Sequence, residues 1–306
     1  MMPKYRILSF DGGGVRGVYT AVLLERIRRA VPNYLDDIHL YAGTSTGALI
    51  ALGLADGRTP ATAIELYREL ADDAFRRPFS RQLATLWGLI GAKYDNVALR
   101  RILGQVFGEK TLADLGRRGR HVLIAAFDLQ GQVAGQTTWK PKFFHNFAGD
   151  DSDGQEKVVD VALRSAAAPT YFPVYGRYID GGVAANNPSV AALAQALDAS
   201  TGGQQLADIR LLSLGTGWMP RYLHGQNQNW GLLQWAFPLV PILLESSEGM
   251  ADYQCQRILG AQYHRLGPTL PTRIDLDDVG QMDYLIELAQ KVDIGPTVAW
   301  VQRHFL

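Results

Sequence analysis

The stretch Ile38-His39-Leu40-Tyr41-Ala42-Gly43-Thr44-Ser45-Thr46-Gly47 decides how this chain folds. Residues 38–42 are an apolar β-type run, and residues 48–55 are unbroken small and aliphatic side chains that suit a buried helix. Between them, Gly43-x-Ser45-x-Gly47 falls where a strand hands over to a helix, the pattern of a nucleophile elbow. Such a turn reverses so sharply that its central residue is strained and the residues two before and two after must be small. The serine hydroxyl then projects from the carboxyl end of a sheet, where α/β sheets place their sites. The helix that follows aims its first N–H groups at that serine and favours negative charge there.

The same alternation extends outward. A strand over 5–10 runs into Asp11-Gly12-Gly13-Gly14-Val15-Arg16-Gly17, and a helix follows with Val18, Ala21, Val22 and Ile27 inward and Glu25, Arg26, Arg28 and Arg29 outward. Pro32-Asn33 stops it, and Thr59-Pro60 reads as a cap and first-turn proline opening a helix to about residue 74. Further strands are expected over 121–127 and 209–214, and Tyr178-Ile179 leads as a short one into Asp180-Gly181-Gly182. This order predicts an α/β fold, a mostly parallel sheet with helices on both faces. With no repeat and no linker longer than residues 149–154, one domain over 1–306 is expected.

Composition narrows the function classes. Thirty Lys+Arg balance thirty Asp+Glu, so no basic field recommends a nucleic-acid partner. One cysteine, Cys255, excludes an internal disulfide framework and a cysteine-based zinc cluster. The N-terminus shows no apolar leader segment. The longest lipophilic run, 232–244, is broken by Gln234, Pro238 and Pro241 and falls short of the about 20 residues that span a bilayer. A soluble, cytoplasmic protein is expected. Glycine stands out: 32 residues, where average usage of about 7% gives about 21, and the surplus gathers at strand ends.

Three glycine turns carry the chemistry. Gly12, Gly14 and Gly17 spell G-x-G-x-x-G, the dinucleotide fingerprint, which makes a nicotinamide-dependent oxidoreductase an alternative. That fingerprint wants an acid about 20 residues on, where this chain has Ala42-Gly43-Thr44-Ser45. Read beside the elbow, Gly12, Gly13 and Gly14 offer successive N–H donors suited to an oxyanion hole, and Arg16 fixes the loop or adds positive potential. A serine needs a base. Among the six histidines, His264 follows Asp180 in Ser–Asp–His order and is the nearest to a triad partner, though it reads more readily as structural. Asp180, on a turn with only glycine beside it, can approach another loop closely. Its reference pKa near 3.9 makes it a weak base, so proton transfer has to be concerted with attack. The bland reading of Asp180 is a turn cap.

Two apolar segments, 83–90 and 230–244 with Trp235 and Phe237, have the composition of a mobile lid or interfacial patch, and equally of a buried core helix. The acidic loop 150–154 follows Gly149 where a calcium loop needs a ligand, and reads as solvated.

Taken together, Asp11–Gly17, Gly43-Thr44-Ser45-Thr46-Gly47 and Asp180-Gly181-Gly182 resemble the motifs of the patatin-like phospholipases, in the same order. Residues 162–173 resemble the family's small-residue helix and Ala-Ala-Pro-x-x-Phe-Pro turn, 183–188 its segment after the aspartate, and Ser213-Leu214-Gly215-Thr216-Gly217 its later strand and loop. The resemblance covers about residues 5–220. It implies a three-layer α/β/α fold and a metal-independent, cofactor-free lipid acyl hydrolase acting on phospholipid or other fatty-acyl esters, with peripheral contact at a membrane surface. Some members are gated by a ligand or partner, so an effector or lipid-binding module with little basal activity is a further alternative. By position, Ser45 is the nucleophile, Asp180 the base, Gly12 to Gly14 the oxyanion loop and Arg16 its attendant, with Gly43, Gly47, Gly181 and Gly182 in support. Ser165-Ala166-Ala167 stands where the family commonly has Thr-Ser-Ala, a position expected only to pack. Residues 221–306 match little and are expected to complete the acyl pocket as a helical part.

Overall fold

The computed structural model describes residues 4–73, 91–117, 119–220 and 229–306. Among these, seven strands form one sheet: β1 (Tyr5–Phe10), β2 (Leu40–Thr44), β3 (His121–Val133), β4 (Gln136–His145), β5 (Tyr178–Asp180), β6 (Ile209–Leu214) and β7 (Tyr263–Leu266). The order is β4-β3-β2-β1-β6-β7, with β5 paired to β3. All contacts from β3 through β7 along this path are parallel, and only β4 and β5 run antiparallel to β3.

Alternation along the strands sorts side chains into two cores. Tyr5 and Ile7 of β1, Leu40 and Ala42 of β2, and Ile209 and Leu211 of β6 pack on one face with Leu193, Cys255 and Leu259. Leu8 and Phe10, Tyr41, and Leu212 and Leu214 point to the other face, against helices Gly17–Ala30, Thr46–Ala55 and Val97–Phe107. Because a strand's side chains alternate in direction, a sheet buried on both faces is forced into three layers, helix–sheet–helix.

The boundaries differ from the sequence reading where tertiary pairing overrides local pattern. β2 is shifted by two residues and runs to Thr44, so the strand feeds directly into the turn at Ser45. β3 continues past residue 127 to Val133 and folds back as an antiparallel hairpin with β4, a pairing that the unbroken polar run Gln136-Thr137-Thr138 did not advertise. Glu25, expected outside, is buried and bridges Arg28 and Arg29. Pro238 and Pro241 do not break residues 230–244; they lie inside the helix Leu232–Leu259.

The feature that builds the site is the edge of β3 facing β2. Its first part pairs with β2, ending at Thr44 opposite Ala125. The next residue, Ala126, pairs with Asp180 of β5. β5 therefore takes over where β2 leaves, and the end of β2 and the end of β5 meet at one point above the sheet.

Candidate active site

Ser45 occupies that meeting point. It has φ 54° and ψ −122°, a region L-residues visit only under constraint. Neighbours on both sides enforce it. A Cβ at Gly47 would collide with the carbonyls of Phe10 and Asp11, and one at Gly43 with the backbone of Gly47 and with Ala48 Cα. The elbow is thus wedged between β1 and its own helix, with Ser45 as the N-cap of Thr46–Ala55. Thr44 Oγ1 donates to the Ala185 carbonyl at 2.7 Å, tying the strand end to the segment that follows Asp180.

Asp180 is buried at 5% exposure. Burial pushes its carboxyl up to about 6, only partly offset by a side-chain hydrogen bond from Ser45 and one from the Gly182 N–H. The second of these, 2.8 Å to Oδ1, is the turn-cap bond, so Asp180 caps its turn and faces Ser45 at once. The raised pKa also bears on the weakness of a carboxylate base: desolvation makes Asp180 a stronger base than a free aspartate.

The Asp11–Gly17 loop lies alongside. The Gly12 N–H is committed to the Asn186 carbonyl at 3.0 Å, whereas the N–H groups of Gly13 and Gly14 meet no acceptor among the described residues. Arg16 is buried, and its guanidinium donates to the carbonyls of Gly13 at 3.3 Å and Gly217 at 3.1 Å. It fastens the loop to the turn after β6.

Ser165 was missed by the sequence reading. Its hydroxyl accepts from the Ser45 N–H at 2.9 Å and donates to the Ala125 carbonyl at 2.6 Å. The position therefore does more than pack: it bridges the strained turn to β3. A small hydroxyl residue at the end of Val158–Ser165 was the one available signal.

Of the five described histidines, none lines the cleft at Ser45; His224 lies outside the described residues. His264 bonds Thr297 Oγ1 at 2.9 Å and stacks on Trp300, so among the described residues no histidine stands at Ser45 as a triad partner. In the acidic loop, Asp153 accepts from Lys142 Nζ at 2.8 Å and from the His145 N–H at 3.0 Å.

Ser45 and Asp180 open onto a cleft of about 960 Å³, part of it open to solvent. Leu49, Tyr67, Leu70, Leu99, Tyr171 and Phe172 give it an apolar wall, and of the later part of the chain Leu244 and Leu276 reach it. Leu244 belongs to the helix Leu232–Leu259, whose other face exposes Trp235, Leu239, Ile242, Leu243, Met250 and Tyr253. At 100° per residue these six fall on one side and Leu244 on the opposite one. No described helix is long and apolar enough to cross a membrane. The segment 83–90 and the side chain of Phe237 lie outside the described residues.

The cleft thus joins a strained serine, a buried aspartate and two loop amides that meet no acceptor among the described residues. The family model for patatin-like phospholipase matches residues 8–193. The chain belongs to the patatin-like phospholipase family. It is 30% identical to Protein teg of Priestia megaterium, over 99% of this chain and 100% of that one. It is 32% identical to a cGAMP-activated phospholipase of Pseudomonas aeruginosa, covering 87% of this chain and 78% of that protein. Among solved structures, VipD from Legionella pneumophila superposes with a TM-score of 0.42 at 11% identity, covering 94% of this chain and 67% of that one.

Proposed function

We propose that this protein is a lipid acyl hydrolase that cleaves carboxylic esters through an acyl-enzyme on Ser45. Asp180 accepts the serine proton as Oγ attacks the ester carbonyl, and passes it to the departing alcohol or lysolipid oxygen. The Gly12–Gly14 loop stabilises the oxyanion, with the uncommitted Gly13 and Gly14 N–H groups as donors and Gly12 as the anchored end. Asp180 then activates water, which releases the fatty acid and restores Ser45. The observation that carries this reading is the register of β3, which sets the ends of β2 and β5 side by side and brings strained Ser45 to buried Asp180.

The apolar wall fits a fatty-acyl chain. In this reading 1–306 act as one domain, and 221–306 close the pocket through Leu244 and Leu276. The exposed apolar face of Leu232–Leu259 meets the lipid surface, a contact made from the cytoplasm. Relatives named as cGAMP-activated phospholipases make activation by a cyclic dinucleotide the second reading.

The test is hydrolysis of a p-nitrophenyl acyl ester and of phospholipid vesicles, each with and without cGAMP. Ser45→Ala should abolish turnover and fluorophosphonate labelling while the variant stays folded. Turnover retained by Ser45→Ala would end the mechanism, and turnover seen only with cGAMP would favour the gated reading.

A further inference from the structure

The direction of an oxyanion donor is set by whatever holds the carbonyl of the same peptide unit. In a trans peptide the C=O and the following N–H point opposite ways. The Gly12 carbonyl accepts from Thr216 Oγ1 at 3.0 Å and Asn186 Nδ2 at 3.3 Å, so the Gly13 N–H is turned away from Thr216 and Asn186. The Gly13 carbonyl is likewise held by the Arg16 N–H at 3.2 Å and Arg16 Nε at 3.3 Å, which orients the Gly14 N–H.

Asn186 is therefore central: it bonds both polar groups of Gly12, and its own grip comes from far along the chain. Its N–H donates to Ser247 Oγ at 3.1 Å, and its Nδ2 also donates to Glu248 Oε1. Glu248 faces Arg265 of β7 at 3.7 Å. Arg265 in turn donates to Asp11 Oδ2 at 2.6 Å and Ser213 Oγ at 2.8 Å. Asp11 is fully buried, with Oδ1 unpartnered among the described residues. Two carboxylates around one largely covered guanidinium are costly to desolvate, and apolar replacements of such clusters are often no less stable. Stability alone does not explain the cluster.

We propose that Glu248 and Arg265 are positioning residues for the oxyanion hole, acting through Asn186 and Asp11 to hold the Gly12–Gly13 peptide in the plane that presents its N–H to the cleft. This rests on the acyl-enzyme reading of Ser45. Both residues lie beyond the 8–193 family match, Glu248 on the helix Leu232–Leu259 and Arg265 on the edge strand β7. Burial and the nearby Asp11 carboxylate push Glu248 up to about 8.

The experiment compares Glu248→Leu, which removes the acceptor for Asn186, with Glu248→Gln, which keeps one, on a short-chain p-nitrophenyl ester. Glu248→Leu should lower kcat at least about tenfold, part of the roughly 10²–10³ that a lost donor costs. KM should stay within about twofold, and Glu248→Gln should remain within about threefold of the parent kcat. A trifluoromethyl ketone, whose hemiketal oxygen on Ser45 mimics the oxyanion, should lose affinity by the same factor as kcat, while fatty-acid binding holds. A merely structural role would not separate these two ligands. Should Glu248→Leu fail to fold, Arg265→Lys carries the test: it keeps the charge and loses the fork, and a kcat loss of about fivefold is expected. Unchanged kcat in whichever variant folds, with Ser45 still labelled by a fluorophosphonate, overturns this inference and leaves the hydrolase reading standing. A parent protein that neither labels nor hydrolyses overturns both.

Discussion

The turn Asp180-Gly181-Gly182 closes three hydrogen bonds locally, Gly182 N–H to Asp180 Oδ1 and the Ala184 and Ala185 N–H groups to the Gly181 carbonyl, while the Asp180 N–H donates to the Ala167 carbonyl. The loop Asp11–Gly14, on the other side of Ser45, is held from afar. Asn186, Thr216, Gly217 and Arg265 bond it or its attendant Arg16, and the Leu276 carbonyl accepts from the next residue, Val15. A self-closed turn carries its geometry wherever its strand goes. A loop held from afar exists in its working shape only when the last strand of the sheet is in place. The base should thus tolerate distant changes, and the oxyanion loop should not.

The largest test of this contrast is Asp180→Asn. Losing the base should cost about 10²–10⁴ in kcat, yet leave the loop and its ligand geometry intact. The folded protein should even gain stability. A carboxyl with a pKa raised from 3.8 to about 6 binds its proton more tightly folded than unfolded. Stability therefore falls as pH rises from about 4 to about 6, and the penalty persists above that. At pH 7 Asp180→Asn should be more stable than the parent by up to about 3 kcal/mol, and at pH 3.5 the difference should vanish. Thermal melts at the two pH values check it. The same pKa places the acid limb of the parent's kcat/KM near pH 6, activity rising with pH as Asp180 ionises; a limb near 4 would argue against the buried base.

Gly13→Ala comes next. The new methyl would meet the Thr216 side chain and push the loop off its anchors, and a loss of about 10² in kcat is expected with KM little changed. Ser165→Ala probes the elbow. It leaves the Ser45 N–H and Ala125 carbonyl without their partner, so a loss of about 1–3 kcal/mol of stability is expected by denaturant titration. Smallest for the chemistry itself is Leu239→Ser with Leu243→Ser on the exposed helix face. Turnover of a soluble ester should be unchanged, while hydrolysis of phospholipid vesicles falls several-fold with the loss of apolar contact area.

How much was legible follows the same division. The elbow could be read because its demands are local: a strand, small residues at 43 and 47, and a buried helix. Asp180 was legible as a carboxylate on a glycine turn. Ser165 was not, because nothing within its own helix says that its hydroxyl will reach the Ser45 N–H 120 positions away. Glu248 was silent for the same reason. The helix through Pro238 and Pro241 was also obscured, since proline marks a break locally while tertiary packing can retain the helix.

By itself, then, the sequence determined the strand–turn–helix units, the two-faced sheet and which residues stand on the tight turns at its strand ends, because these depend on side-chain period and on which residues fit a tight turn. Tertiary structure alone decided that β5 takes over from β2 along β3, that burial lifts Asp180 to about 6, and which amides of the glycine loop are free. Each of these depends on partners distant in the chain, and hydrogen-bond direction and desolvation are set by what is near in space.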